Sequence, residues 1–133
     1  MLDYLTAKLA YEVDVLDAAA GLDSGEFILV DTRKQASWDH GHALGAIRLL
    51  DDIPAGRTVV VYGWGPGCNG ATRAAAALIA RGYSVREMIG GFEYWYRSGL
   101  AVETAGGVMH PRVDPLVGAT GGALEHPLEG AQP

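Results

Sequence analysis

One thiol sits in a setting that could give it chemistry. Cys68, the only cysteine in the chain, lies in Gly63-Trp64-Gly65-Pro66-Gly67-Cys68-Asn69-Gly70, a turn holding four glycines. Glycines permit positive φ and close backbone approach, so successive N–H groups can point inward as a concave nest. A helix predicted from about Ala71 adds unpaired N–H groups and a positive dipole end to the same spot. Donors of that kind hold an oxyanion, and they equally stabilise an ionised sulfur. The residues expected around an anion are therefore Trp64, Gly65, Pro66, Gly67, Asn69, Gly70 and Ala71. A βα connection over a buried, inert cysteine is the plainer alternative. Nucleotide fingerprints do not fit, because the turn contains no Gly-Lys-Ser/Thr and no lysine at all.

Elements on either side must position this turn. Thr58-Val59-Val60-Val61-Tyr62 precedes it, and the β-branched run suits a strand buried on both faces. The alanine-rich stretch from Ala71 to Arg81 follows as a helix, with Gly82 at its C-terminal cap. Upstream, Leu2, Leu5 and Leu9 predict a short amphipathic helix lying against the body, and a second helix begins after Asp14 with Val15, Leu16, Ala19 and Leu22 on one face. Phe27-Ile28-Leu29-Val30-Asp31 reads as a parallel strand that delivers a carboxylate to its C-terminal edge. A weak helix over 34–40, a short strand near 46–49, a strand over Ser84 to Met88 and a helix from Phe92 to Gly99 complete the alternation. Alternating elements predict an α/β domain whose parallel sheet of about 4–5 strands carries helices on both faces. The domain is expected over residues 1–103. From Thr104 to Pro133 the periodicity is lost, which predicts an extended Gly/Pro-containing tail that wraps the domain, bridges to a second copy in a homodimer, or stays mobile.

Composition narrows the classes. A chain of 133 residues with a formal charge of −6 has no basic surplus with which to bind nucleic acid. One cysteine makes no internal disulfide and fits a reducing compartment. No apolar run reaches membrane-spanning length and the N-terminus lacks signal-peptide character, so a cytoplasmic protein without membrane contact is expected. Nothing in the sequence calls for a cofactor. His40-Gly41-His42 is too short a cluster to hold a metal without further ligands.

Five blocks, in order, carry a family resemblance: Phe27 to Arg33; Trp38; Gly41-His42 with Gly45-Ala46; Val59 to Tyr62 before a tight loop; and Gly90-Gly91 with Trp95. Together they resemble the rhodanese family of single-domain sulfurtransferases over roughly residues 12–103. The resemblance implies that the residue directly after the strand is the nucleophile that takes sulfur from a donor such as thiosulfate and holds it as a persulfide for an acceptor thiol. That position is Gly63, which has no nucleophile. The loop is also about two residues longer than the common sulfurtransferase loop and lacks arginine and lysine. Phosphatases and arsenate reductases on the same fold rely on the same missing cysteine.

Cys68 is then the remaining candidate carrier, five positions along the loop. It either faces the cavity or packs beneath the loop. Asp31 and Arg33 match the family's Asp-x-Arg block, where the resemblance implies structural support of the site, and His42 falls in its Gly-His block. Arg73 is the fixed positive charge nearest the loop, although a solvent-facing helix arginine is the simpler role. Two functions follow: a sulfurtransferase using Cys68 with a small sulfur-donor anion or acceptor thiol, or a non-catalytic oxyanion- or protein-binding module.

Overall fold

The computed structural model describes residues 1–49 and 51–119. Elements run α1 (Leu2–Tyr11), β1 (Glu12–Val13), α2 (Val15–Ser24), β2 (Phe27–Asp31), α3 (Gln35–His40), β3 (His42–Ala43), β4 (Ile47–Arg48), β5 (Thr58–Tyr62), α4 (Gly70–Ala80), β6 (Ser84–Met88), α5 (Gly91–Arg97), β7 (Val102–Thr104) and β8 (Gly107–Met109). Five strands form one sheet in the order β1-β6-β5-β2-β4, and every pairing in it is parallel. Alternation along the strands divides the core. Phe27, Leu29, Val60 and Tyr62 face α2 and α5, while Val30, Val59 and Val61 face α4. The expected α/β sheet with helices on both faces is what forms. Among the described residues no helix is long and apolar enough to cross a membrane.

Local signals account for the boundaries. Asp14 Oδ1 accepts from Asp17 N–H at 2.8 Å and starts α2, which Gly25 ends in the left-handed region. At the far end of α4, Gly82 N–H donates to the Ile79 carbonyl and Tyr83 N–H to the Leu78 carbonyl. Those paired bonds are a Schellman closure, one residue beyond Arg81.

Three regions differ from the sequence expectation. α1 forms, but Leu2, Leu5 and Leu9 are 76%, 44% and 78% exposed, so the predicted stripe does not lie against the body. The chain enters β1 at Glu12 directly after the helix, and only Tyr11 of the last turn packs against the α4-side core. β1 and β3 are two residues long, too short to show periodicity. The third difference lies after α5. β7 and β8 form an antiparallel hairpin that joins β3 in a second, three-stranded sheet, so a boundary between 103 and 104 falls inside β7.

Past the hairpin, the chain to residue 119 folds back on α5. Asp114 N–H donates to the Arg97 carbonyl at 2.7 Å, Asp114 Oδ2 accepts from Arg97 Nη1 at 2.9 Å, and Ala119 N–H donates to Ser98 Oγ at 2.9 Å. Of the three tail behaviours, this segment wraps the domain. Residues 120–133 of the expected tail lie outside the described residues, and the homodimer expected of the tail is a proposal to which the described residues add nothing.

The Asp114 carboxylate is held below its ordinary range, first by the Leu116 N–H and then by Arg97. A lowered folded-state pKa means that the docking contribution is complete above the ordinary carboxylate range, about pH 4, and is lost as pH falls through the lowered value. Amide-exchange protection at Gly118 and Ala119, corrected for intrinsic rates, is expected to fall in that acid window and to become insensitive to it in Asp114→Asn.

Candidate functional site

β5 pairs with β2 on one side and β6 on the other, which puts its C-terminal end at the centre of the sheet edge. Ligands in open parallel sheets bind outside that edge. The turn from Gly63 to Asn69 starts there and is fastened to α5: Phe92 N–H donates to the Gly63 carbonyl at 2.8 Å and Glu93 N–H to the Trp64 carbonyl at 2.9 Å. The contact is too close for a side chain on Gly91. Its φ is +61°, and a Cβ there would stand 2.7 Å from both the Gly63 oxygen and the Gly65 nitrogen. Cys68 N–H closes the turn onto the Gly65 carbonyl at 3.1 Å.

Closure in this way carries the thiol back to the strand end. A Cβ built on Gly63 would lie 2.8 Å from Cys68 Sγ, and one built on Gly70 would lie 3.3 Å from it. The sulfur therefore fills the space into which a residue-63 side chain would grow. Gly70 N–H, the first amide of α4, donates to Sγ at 3.3 Å. Gly63, Gly65, Pro66, Cys68 and Ala71 line a half-open cavity of about 150 Å³ with the Gly90-Gly91 turn, the end of β6, and Glu12. Of the two positions considered for the thiol, the cavity-facing one is found.

The electrostatics of this cavity are acidic. Glu12 and Glu87 line it, and among the described residues no arginine, lysine or histidine does. Thr72 Oγ1 donates to Glu87 Oε1 at 2.6 Å and Tyr11 Oη donates to the same oxygen at 3.2 Å. Burial, and then the Glu87 charge, push the Tyr11 phenol far above its usual range, so it stays a donor. Glu87 is the last residue but one of β6, and a search of the carboxyl end of Ser84–Met88 would have found it. Glu12 had no such signal, being on a two-residue strand.

The remaining candidates are spread out. Trp64, 55% exposed, walls a separate cleft of about 830 Å³ together with Arg33, Phe92, Tyr96 and Arg97. Gly67 packs beneath the Trp64 ring, Asn69 is exposed with no side-chain cap bond, and Arg73 is exposed on α4 and lines neither space. His42 stacks on Trp38 with ring centroids 3.4 Å apart, its Nδ1 is 3.1 Å from the Trp38 carbonyl, and it stands away from Cys68. Among the described residues no group of His, Cys, Asp and Glu is arranged to hold a metal.

Asp31 and Arg33 form the support beneath the site. The Asp31 carboxylate, 2% exposed, accepts from Arg33 Nε and Nη2, from Arg33 N–H at 2.7 Å and from Tyr62 Oη at 2.6 Å. Tyr62 Oη in turn accepts from Ala43 N–H at 3.1 Å, and its own titration is pushed well above 10 by burial and then by Asp31. Arg33 Nη2 also donates to the Gly41 carbonyl at 2.6 Å, and its guanidinium lies 4.1 Å from the Phe92 ring centroid.

Comparison with known proteins agrees with this architecture. The family model described as "Rhodanese-like domain" matches residues 14–98, well over half of the chain. The BH2092 protein of Bacillus halodurans is 32% identical with a TM-score of 0.72, over 80% of this chain and 85% of its own. A full-length protein from Lactobacillus plantarum is 26% identical with a TM-score of 0.69, over 77% of this chain and 95% of its own. A rhodanese-related protein from Thermoplasma volcanium, at 16% identity and a TM-score of 0.60, shares the fold over 69% of this chain and 96% of its own. No curated protein matches.

Two stability predictions follow from these contacts. Asp31→Ala strands the Arg33 guanidinium, whose side chain is 8% exposed, and is expected to lower unfolding free energy by about 3–5 kcal/mol, against about 1–3 kcal/mol for Tyr62→Phe, in urea denaturation. Gly63→Ala overpacks the sulfur and is expected to be destabilising by about 1–3 kcal/mol. Most of that loss should vanish when the same change is made in a Cys68→Ala background, a coupling read by a double-mutant cycle.

Proposed function

The chain belongs to the rhodanese-like domain family, and from that premise we propose that it is a sulfurtransferase which carries sulfur as a persulfide on Cys68 in place of a nucleophile at position 63. The observation that carries the reading is the place of the sulfur: Sγ lies 2.8 Å from where a Cβ on Gly63 would be, at the carboxyl end of the central strand. The family resemblance puts its nucleophile at that strand end. Here the loop supplies the thiol from five residues further on, and Gly63 is the residue that leaves room for it.

The chemistry is two successive displacements at sulfur. The Cys68 thiolate attacks the outer sulfur of a donor, a new S–S bond forms, and the donor's own S–S bond breaks with its electron pair leaving on sulfite or a thiolate. The resulting Cys68 persulfide is then attacked at its terminal sulfur by an acceptor thiolate, and the electron pair of the Cys68 S–S bond returns to Sγ. No net redox change occurs and no cofactor enters. Gly70 N–H stabilises the sulfur anion at both stages through its donation to Sγ. Asp31, Arg33 and Tyr62 hold the ends of β2 and β5 in register beneath the loop, and they act as support.

The second reading, a non-catalytic module holding an oxyanion or an acidic partner, has less in its favour. Two acidic residues line the cavity, no basic residue does among the described residues, and the Gly70 amide is taken by the sulfur. Intact mass after incubation with thiosulfate or with an organic trisulfide plus thiol decides between them. The protein is expected to gain one sulfur atom that cyanide removes, and Cys68→Ser is expected to gain none. A thiol that stays unmodified by every donor would remove the enzymatic reading.

A further inference from the structure

The charge around Cys68 is the wrong sign for the donor that the family resemblance suggests. Glu12 and Glu87 are the charged residues lining the cavity, and among the described residues no arginine, lysine or histidine lines it. Lys8 pairs with Glu12 from the exposed face of α1, and Arg86 Nη2 donates to the Glu12 carbonyl at 3.1 Å with its guanidinium over the Phe27 ring. Glu87 is held in place through Oε1 by Thr72 and Tyr11, while its Oε2 has no donor among the described residues. Two carboxylate residues that line the same half-open space of about 150 Å³ as a thiol, with no basic residue in that lining among the described residues, suit a small cation. A half-open space of that size admits the end of a small thiol.

We propose that the Cys68 cavity selects its sulfur partner by charge, taking small aminothiols and their persulfides, whose ammonium group is held by Glu87 and Glu12, over dianionic donors such as thiosulfate. The inference rests on the reading of Cys68 as sulfur carrier. An aminothiol that brings its sulfur to Sγ places its ammonium in the space that Glu12 and Glu87 line. A dianion entering the same space meets the charge of Glu87 and the part of the Glu12 charge that Lys8 leaves uncompensated, and its local concentration falls accordingly. Glu87 is the main specificity residue, since the charge of Glu12 is partly offset by Lys8.

Thiol–disulfide exchange tests this independently of persulfide formation. The Cys68 thiolate attacks one sulfur of a symmetrical disulfide, a mixed disulfide forms, and the other half leaves as a thiolate. Rates would be measured by intact mass for cystamine, 2-hydroxyethyl disulfide and dithiodiglycolate, which carry positive, zero and negative charge on similar frames. Cystamine is expected to react about tenfold or more faster than dithiodiglycolate at low ionic strength, with the ratio shrinking in 0.5 M salt to about threefold or less. Glu87→Gln, whose amide oxygen still accepts from Thr72 and Tyr11, is expected to collapse most of the ratio, and Glu12→Gln to reduce it less. Equal rates across the series, or a ratio that Glu87→Gln leaves unmoved, would overturn the charge selection. A preserved ratio in a protein that never gains sulfur would keep the charge selection at this thiol and sink the carrier reading alone. A Cys68 inert to all three disulfides would sink both.

Discussion

A carboxylate buried at the end of β2 ties the edge of the sheet together. Asp31 cannot be left ionised in an apolar interior without partners, because the desolvation of a lone charge exceeds what packing returns. Its partners come from separate parts of the chain: Arg33 from the turn that follows, and Tyr62 from the end of the neighbouring strand. Each partner then makes a second bond. Tyr62 Oη receives Ala43 N–H and Arg33 donates to the Gly41 carbonyl, so the main sheet, the segment before β3 and the second sheet meet at one charge. The Phe92 ring under the guanidinium adds α5 to the same assembly.

With that edge held, the glycine turn is shaped by close approach. Gly63 and Trp64 give their carbonyls to the second and third amides of α5, and Gly91 is pressed against the turn at a distance that excludes any side chain. The turn is thereby drawn tight, and Cys68, five residues along it, comes back over the strand end. Gly63 and Gly70 are the clearance around the sulfur as much as they are flexible links. A glycine at position 63 and a thiol in the space its side chain would take are thus two aspects of one packing arrangement.

The cavity that results has a lining distinct from the residues that support it. Asp31, Arg33 and His42, which the family blocks singled out, hold elements together and do not line it. The charged residues that line the cavity with Cys68 are Glu12 and Glu87, from the edge strand and its neighbour, which pair in register at Glu12↔Glu87. That register places two like charges side by side at the sheet edge. Lys8, Thr72 and Tyr11 make the arrangement tolerable by giving each carboxylate a partner.

By itself the amino-acid sequence determined the alternation of elements, the parallel sheet, the caps of α2 and α4, the strand-end carboxylate and the family, because each rests on local periodicity or on residues at fixed short spacing. Trp95 buried at 3% beside Tyr96 exposed at 45% is likewise what helical geometry requires of adjacent aromatics. Tertiary structure alone decided where Cys68 points, since that depends on α5 amides more than twenty residues downstream of the loop. It also decided that the Leu2, Leu5 and Leu9 stripe stays exposed, because a helical face carries no information about whether a neighbour will be there to cover it. The acid character of the site was hidden for the same reason: Glu12 and Glu87 lie 75 positions apart and become neighbours only through the pairing of β1 with β6.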